Sequence, residues 1–281
     1  MSALDINSLR AKLRELQSGS GKAERDAVLW KPSAGDNIIR VVPLDSHPSN
    51  PFTELYFIYF PNRTYLSPIS FGEPDPISEF GEKLRAGGGL SKEEWNETKK
   101  FIPQRRTFLP IIDRKNPDGV RFWAFGKTVY ANLIEIMSDP DYGDITDIKE
   151  GRDLKIKFTP KEASDTGFAK TAVRASGKTS LLSADSAEVK KWTTNQPDLL
   201  SIYQRYSYDE LKQILDTFIN GPRNVPTGLP TPELKSPSAI EDSEWGDDDT
   251  EERTSTRGSS LKSGSTDVEK EFASIFDDDE N

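Results

Sequence analysis

The stretch QRRTFLPIIDRKNPDGVRFWAFGKTVYANLIEIM, residues 104–137, decides the fold of this chain. Two runs of apolar and aromatic residues, RTFLPIID at 106–113 and GVRFWAF at 119–125, flank NPDG at 116–119. NPDG is a favourable turn sequence, so we predict that the two runs pair as a β-hairpin. Pro110 cannot donate a hydrogen bond to a β-ladder, which favours an edge position or a bulge for the first strand.

An amphipathic helix is predicted directly after the hairpin, from Gly126 to Met137. Val129 and Leu133 lie on its apolar stripe. Two capping boxes, each a serine followed three residues later by a glutamate, predict that further helices begin after Ser91 and Ser207. The helices therefore alternate with or follow strands along the chain.

Alternating or apolar runs predict four more strands, namely DNIIRVVP (36–43), ELYFIYF (54–60), DLKIKFT (153–159) and FAKTAVR (168–174). In DLKIKFT the apolar residues alternate with Lys155 and Lys157, which is typical of a strand with one buried and one solvated face. Five or more strands with few helices indicate a mainly β fold with α elaboration. We expect an OB-fold-like barrel as the core.

The composition divides the chain into four parts. Residues 1–18 form a basic arm, residues 19–222 the core, residues 223–240 a Pro-rich linker, and residues 241–281 an acidic tail that we predict to be disordered. The tail holds 15 acidic and 4 basic residues, whereas the other 240 residues hold 33 basic and 32 acidic ones. The net charge of −10 therefore comes from the tail, and the core is nearly neutral with local basic stretches.

The composition also restricts the kinds of site that the chain can hold. Without cysteine it has no disulfide, no thiol nucleophile and no thiolate metal site. No apolar run is long enough for a membrane span, and the N-terminus lacks the apolar core of a signal peptide. We expect a cytoplasmic protein with no cofactor and no membrane partner. With one histidine and no phosphate-cradling glycine loop, we do not expect an enzyme, although the many carboxylates leave a metal-dependent nuclease open.

Residues 99–130 hold eight basic and two acidic side chains, interleaved with aromatic residues on predicted strands. Cations follow the phosphates of a single strand and aromatic rings stack on its bases, so this pattern indicates sequence-nonspecific binding of single-stranded DNA. We expect about half of the rings to be buried, and the face that bears Arg121, Trp123 and Phe125 to form the groove. The candidate DNA-binding residues are Arg105, Arg106, Phe108, Arg114, Lys115, Arg121, Trp123, Phe125, Lys127 and Tyr130, with Lys155, Lys157, Tyr56, Tyr59 and Arg63 as weaker candidates.

The stretch that decides the fold resembles the central segment of the single-stranded DNA-binding, helix-destabilising proteins of T-even-type bacteriophages. A basic-Thr-aromatic strand, a turn, an aromatic strand, an FGK and an amphipathic helix follow in the same order, between a basic arm and an acidic tail. The resemblance covers most of residues 1–180 and is specific over residues 104–160. It implies an OB-fold core that binds single strands cooperatively in DNA replication, recombination and repair. By position, the DNA contacts that it implies are Arg105, Arg106, Phe108, Phe125 and Lys127.

Well-known members of this family hold a structural zinc with one histidine and three cysteines. The corresponding stretch here is EPDPISEF, residues 73–80, and the absence of cysteine excludes a zinc site of that type. His47 lies in a Pro/Ser loop, where we do not expect it to bind a metal. We expect packing to hold this part of the core, by Phe71, Ile77, Phe80, Leu84 and Trp95.

The arm carries Leu9, Leu13 and Leu16 on one face of a predicted helix. This face either packs on its own core or docks on a neighbouring copy of the protein bound to the same strand. The candidate subunit-contact residues are Leu9, Arg10, Lys12, Leu13 and Arg14.

The tail ends in EKEFASIFDDDEN, in which an apolar tip precedes a run of acids. Such a peptide can recruit replication and recombination proteins, or occupy a cationic groove in place of DNA, and a merely solubilising tail is the alternative. The candidate partner-binding residues are Phe272, Ile275, Phe276, Asp277, Asp278 and Asp279. For the chain as a whole, an RNA-binding OB-type protein and an acidic-tail adaptor without nucleic-acid binding are the alternatives.

Overall fold

The structure is a computed structural model that describes residues 23–220, apart from residues 45, 48, 61 and 62. Its strands are β1 (Leu29–Trp30), β2 (Gly35–Val41), β3 (Thr53–Phe60), β4 (Arg63–Leu66), β5 (Gln104–Asp113), β6 (Arg121–Phe125), β7 (Arg152–Thr159) and β8 (Lys170–Thr179). Its α-helices are α1 (23–28), α2 (Pro76–Ala86), α3 (Lys92–Thr98), α4 (Lys127–Ser138), α5 (Ser186–Thr194) and α6 (Tyr208–Asn220). Short 3₁₀ helices span Pro68–Phe71, Lys99–Phe101, Lys161–Ala163 and Leu199–Ile202.

The eight strands form one mixed sheet in the order β1-β6-β5-β2-β7-β8, with β3 paired to β5 and β4 paired to β3. β1 and β6 run parallel, and the other paired strands run antiparallel. The predicted hairpin is confirmed, because β5 pairs with β6 and places Leu109 opposite Trp123. The mainly β fold with added helices is confirmed as well.

β5 is the central strand because it pairs with three others. β6 lies along one of its edges, and β3 and β2 follow one another along the other edge. Pairing with β3 ends at Phe108 and pairing with β2 starts at Ile111, so Pro110 lies at the fork between them. The Pro110 carbonyl accepts the Val42 N–H at 3.0 Å, so the proline still contributes an acceptor toward β2 although it has no N–H to donate. Of the two predicted settings, an edge or a bulge, the edge position is wrong, because β5 is a central strand and its proline lies where the pairing changes from β3 to β2.

The sheet does not close on itself within the described residues, because its order ends at β1 on one side and at β8 on the other. β1 has only two residues and cannot support a long ladder to β8. The predicted closed barrel is therefore not observed. β8 is instead an edge strand, and its Val173 and Ala175 pack against the core beneath α4.

α4 covers one face of the central sheet. Its Val129 and Leu133 are buried in one core with Ile111, Trp123 and Leu154, which confirms the predicted apolar stripe. The opposite face of the central strands is covered too, by the segment that contains Leu199 and by Trp192 of α5. Both faces of β5 are thus buried along most of its length, whereas β2, β7 and β8 present exposed residues to solvent.

α2, α3 and α6 form a helical layer beside the β3–β4 hairpin. Ile77 and Phe80 of α2 pack with Leu211 and Leu215 of α6 in a separate core, and Leu84 lies at its border. This packing confirms most of the predicted contacts in the part of the chain where the resembling family holds zinc.

The predicted capping boxes are both formed. Ser91 and Glu94 exchange hydrogen bonds at the start of α3, and Ser207 and Glu210 do so at the start of α6. Trp95 of α3, however, is 47 % exposed, so its predicted burial in this layer is wrong. Phe71 also departs from the prediction, because it packs against the core that contains Phe108.

Within residues 23–220, as far as they are described, none of the helices has the length and apolarity that a bilayer crossing requires. The predicted arm, linker and tail lie outside the described residues, together with all of their candidate contact residues.

Candidate nucleic-acid interface

The face predicted to form the DNA groove is the interior of the protein. Trp123 and Phe125 are 2 % and 5 % exposed, and both lie in the core beneath α4. Trp123 packs edge-on against Trp30, with ring centroids 5.9 Å apart. Arg121 at the end of this face lies 3.8 Å from the Asp113 carboxylate. The predicted stacking roles of Trp123 and Phe125 are therefore wrong, because α4 occupies the space that bases would need.

Phe108 and Arg106 lie on the opposite face of β5, and they are buried too. Phe108 is fully buried against Phe57 and Tyr203, so it cannot stack on a base. Arg106 is 4 % exposed, and its Nε donates to the Tyr59 hydroxyl at 3.0 Å. Their predicted contact with DNA is wrong for the same reason, since the central strands are covered on both faces.

Arg105 reaches the surface beside Tyr56, its direct cross-strand neighbour on β3. Its guanidinium lies 5.2 Å from the ring centroid of Tyr130 and 3.4 Å from the Glu54 carboxylate. Burial raises the pKa of Tyr130, and Glu54 raises it further. Three of the predicted DNA-binding residues, Tyr56, Arg105 and Tyr130, thus lie together here. The Glu54 carboxylate, however, neutralises the charge of Arg105.

Lys127 is exposed at the start of α4, one helical turn before Tyr130. Arg63 lies on β4 with its guanidinium 5.6 Å from the ring centroid of Tyr65. Burial raises the pKa of Tyr65, and the Arg63 charge opposes that change. Tyr59 and Arg63 therefore belong to the β3–β4 side of the molecule, apart from Arg105 and Lys127.

The outer strands β7 and β8 expose cationic side chains to solvent, which the central strand β5 does not do to the same extent. Lys155 and Lys157 are exposed, whereas Leu154 and Ile156 are buried in the core beneath α4, as the alternation predicted. Lys155 lies directly opposite Ile38 on β2 and Arg174 on β8, and directly opposed residues share a face. The adjacent rows of this face pair Asp36 with Lys157 and Ala172, and Thr159 with Lys170.

We call this surface the cationic sheet face. Neighbouring strands in it lie about 4.8 Å apart, and successive rows along one strand lie about 6.8 Å apart. Lys115 joins it at the margin, because its Nζ donates to the Asp36 carbonyl at 2.9 Å. The residues of the cationic sheet face are Ile38, Lys115, Lys155, Lys157, Lys170 and Arg174, together with one acid, Asp36.

The charges of Lys155 and Arg174 are poorly compensated, whereas Lys157 has the Asp36 carboxylate in the opposed position on β2. Lys155 and Arg174 oppose each other directly, and like charges in that position destabilise a sheet. In the part of the chain that the structure describes, neither forms an ion pair, and nor does Lys157. Lys170 is the exception, since it binds Asp165 at 2.7 Å. An anionic ligand would relieve the repulsion that this arrangement maintains.

Apolar groups lie among these cations. Ile38 is 38 % exposed in the middle of the face, opposite Lys155. Phe168 is exposed two residues before β8 begins, and Leu181 is exposed shortly after β8 ends. The face therefore offers both positive charge and apolar surface, the two features that a single strand with exposed phosphates and bases requires.

Arg114 borders the cationic sheet face, because its backbone N–H donates to the Ile38 carbonyl, and its side chain is 24 % exposed. Its Nε and Nη2 donate to Asp153 Oδ1 at 3.0 and 2.8 Å, and Nη1 donates to the Leu182 carbonyl at 2.7 Å. These donors are engaged by the protein, so Arg114 has a structural role, and its contact with DNA stays a prediction.

Arg40 is a fully buried cation that the sequence analysis did not single out. Its Nη2 donates to the carbonyls of Asp147 and Ser180 at 2.6 and 3.0 Å, and Asp153 lies 3.8 Å from its Nη1. Burial lowers the pKa of Arg40, while the nearby Asp153 carboxylate raises it. Arg40 and Arg114 thus share Asp153 and fix the end of β7 to the segments on either side. The signal for Arg40 was its position inside the apolar run IIRVVP, which predicts burial of the whole strand.

The described residues contain no group of three or more His, Asp and Glu side chains that could hold a metal ion. No protein-family model matches this chain, and the comparison with curated proteins finds no match either.

Proposed function

We propose that the chain binds single-stranded DNA, without strong sequence preference, through the cationic sheet face. The observation that carries this proposal is the opposed pair Lys155 and Arg174, which lie beside Lys157 on an exposed face without ion-pair partners in the described residues. A sheet that keeps like charges opposed is less stable than one that pairs them. The arrangement is best explained by a polyanion that binds there.

A single strand fits this surface better than a duplex does. Cations contact the phosphates of a single strand while its unpaired bases seek apolar and aromatic groups. Ile38 lies opposite Lys155, and Phe168 is exposed two residues before Lys170 in sequence. A duplex hides its bases, so its binding would use the charges alone, and we expect it to be weaker.

The resemblance described above supports the remaining parts of the proposal. The protein acts in DNA replication, recombination and repair, the arm at residues 1–18 mediates cooperative binding, and the tail at residues 241–281 recruits replication partners. It is a binder and carries out no chemistry on the strand. The open sheet is a form of OB-like barrel that stays unclosed between β1 and β8.

The test is a titration of oligo(dT) with the full chain at several salt concentrations, with a duplex of the same sequence as control. Lys155→Gln, Lys157→Gln and Arg174→Gln are combined in one variant. A second variant, which combines the exposed Lys149→Gln, Lys190→Gln and Lys212→Gln, removes the same charge elsewhere. We expect the first variant to reduce the slope of log K against log salt by about 2, at about 0.7 for each phosphate that the protein no longer neutralises. The second variant should retain the wild-type slope.

Equal slopes for both variants would contradict the assignment of the cationic sheet face. Absence of oligo(dT) binding by the wild type would contradict the function itself and favour an adaptor that acts through its tail. Equal affinity for oligo(rU) and oligo(dT) would favour the RNA-binding alternative. Shortening of the strand over time in magnesium would identify a nuclease.

A further inference from the structure

We infer that a second contact with the single strand lies on α3, where an unpaired base stacks on Trp95 between Lys92 and Lys99. This inference rests on the proposed function. It places the base-stacking ring in the helical layer, outside the cationic sheet face and before the basic and aromatic stretch at residues 99–130.

Trp95 differs from the other tryptophans that the structure describes. Trp30, Trp123 and Trp192 are buried in cores, whereas Trp95 is almost half exposed. An exposed tryptophan leaves a large apolar surface in water, and such rings are enriched at binding sites. The exposed ring is therefore a candidate contact for a ligand.

The Trp95 ring has a cation fixed over it. Arg85 of α2 has its guanidinium 5.5 Å from the ring centroid. Two hydrogen bonds hold this side chain, from Nε to Thr98 Oγ1 at 3.0 Å and from Nη2 to the Thr98 carbonyl at 2.9 Å. Thr98 is itself buried and donates to the Trp95 carbonyl at 2.8 Å. The ring is thus supported by an ordered arginine, as a preformed stacking platform requires.

Two lysines are helix neighbours of Trp95, although α3 itself also carries Glu93, Glu94 and Glu97. Helix neighbours lie three and four residues apart, and for Trp95 these include Lys92 at i−3 and Lys99 at i+4. Lys99 keeps helical backbone angles, with φ −61° and ψ −29°, so this spacing holds beyond the end of α3. Glu93 and Glu97 lie two residues from Trp95 on either side and therefore point away from it.

Neither lysine forms an ion pair within the described residues, whereas Glu97 is bound by Lys100 at 2.9 Å. A ring flanked by two free cations suits a nucleotide, whose base stacks and whose phosphates attract lysine. An acidic protein segment would use the lysines but would gain less from the flat ring.

The experiment compares oligo(dT) with an abasic oligonucleotide of the same length, which keeps the phosphates and lacks the bases. All proteins carry Trp245→Phe, so that fluorescence reports on the described tryptophans. The variants are Trp95→Ala and Lys92→Gln/Lys99→Gln, with Tyr208→Ala as a matched control. Tyr208 is an exposed aromatic residue whose hydroxyl donates to the Glu79 carboxylate at 2.8 Å, so it lies beside an acid instead of a lysine.

Loss of one stacked base is expected to weaken oligo(dT) binding by Trp95→Ala roughly 5- to 150-fold. Its binding to the abasic strand should be unchanged. The lysine variant should weaken binding of both strands, and Tyr208→Ala should weaken neither. Addition of oligo(dT) should quench tryptophan fluorescence, and a Trp95→Phe variant should lose that quenching.

The inference is overturned if Trp95→Ala binds oligo(dT) as tightly as the wild type does, or weakens both strands equally. If the wild type binds neither strand, both the inference and the proposed function fail. If the wild type binds oligo(dT) and the cationic sheet face variant alone loses affinity, the proposed function stands and this inference fails. Thermal unfolding of each variant confirms that the fold is retained.

Discussion

The β5–β6 hairpin and the β7–β8 hairpin both carry cations as well as apolar residues, but they lie in different surroundings. In the first, Trp123 and Phe125 lie beneath α4, and Phe108 is buried on the reverse face. In the second, α4 covers only the face that holds Leu154 and Ile156, so the lysines of β7 stay in solvent. The difference shows that a strand's place in the sheet, more than its own composition, decides whether its cations can meet a ligand.

The largest effect on stability is expected from Trp123→Ala, in the β5–β6 hairpin beneath α4. The substitution leaves a cavity beneath α4 and should reduce the free energy of unfolding by about 3–5 kcal/mol. Chemical denaturation measures this change. Ile38→Ala on the open face serves as the control and should change the stability by less than about 0.5 kcal/mol. Similar losses of stability for Trp123→Ala and Ile38→Ala would contradict the conclusion that Trp123 is in the core and that the cationic sheet face is exposed.

Lys155→Glu tests the β7–β8 hairpin, because it places a carboxylate opposite Arg174. Pairing of opposite charges should stabilise the sheet by about 0.2–1 kcal/mol, because it replaces a repulsive pair. The same change should weaken oligo(dT) binding and reduce its salt dependence. Denaturation and fluorescence titration on one preparation test both effects. A variant that is less stable and binds normally would show that Lys155 has a structural role instead.

Glu54→Gln tests the surface of the β5–β6 hairpin, where Glu54 of β3 lies beside Arg105 of β5. Arg105 is exposed there but lies 3.4 Å from the Glu54 carboxylate. Removal of that charge should increase oligo(dT) affinity by a few fold at low salt, because a neutralised cation becomes available. The increase should disappear in the double variant with Arg105→Gln. A decrease in affinity would show that Glu54 positions Arg105 for binding.

The smallest effect concerns pH and the segment that anchors Arg40. The Asp147 carboxylate accepts the N–H groups of Glu150 and Lys149, which lowers its pKa from the ordinary value. A carboxylate whose pKa is lower in the folded state contributes stability at neutral pH, and that stability is lost as the pH falls through the folded-state pKa. Asp147→Asn should therefore flatten the acid side of the stability curve. An unchanged curve would show that this carboxylate does not hold the segment.

Local patterns predicted the strands well, because side-chain alternation and turn residues act over short distances. In 153–159 the alternation of apolar residues with Lys155 and Lys157 was enough to assign buried and exposed faces correctly. The β5–β6 hairpin could not be assigned in the same way, because both of its faces carry apolar residues. Which face α4 covers depends on contacts between distant segments, and sequence periodicity does not contain that information.

The site was harder to predict than the fold for two further reasons. Arg40 and Arg106 are buried by partners that lie far away in sequence, Asp147 in one case and Tyr59 in the other. Trp95 is predicted to pack in the part of the core where the resembling family holds zinc, but the structure leaves it exposed. Its helical spacing from Lys92 and Lys99 was present in the sequence and would have indicated an exposed, basic stripe.

The most direct test of the account is lysine footprinting of the full chain with and without oligo(dT), read by mass spectrometry. If the cationic sheet face binds the strand, bound DNA will protect Lys155, Lys157 and Lys170 from an amine-reactive reagent. Lys149 and Lys190, which are exposed elsewhere, should react at the same rate in both samples. Unchanged modification of Lys155 and Lys157 at saturating oligo(dT) would contradict the claim that the cationic sheet face binds the strand.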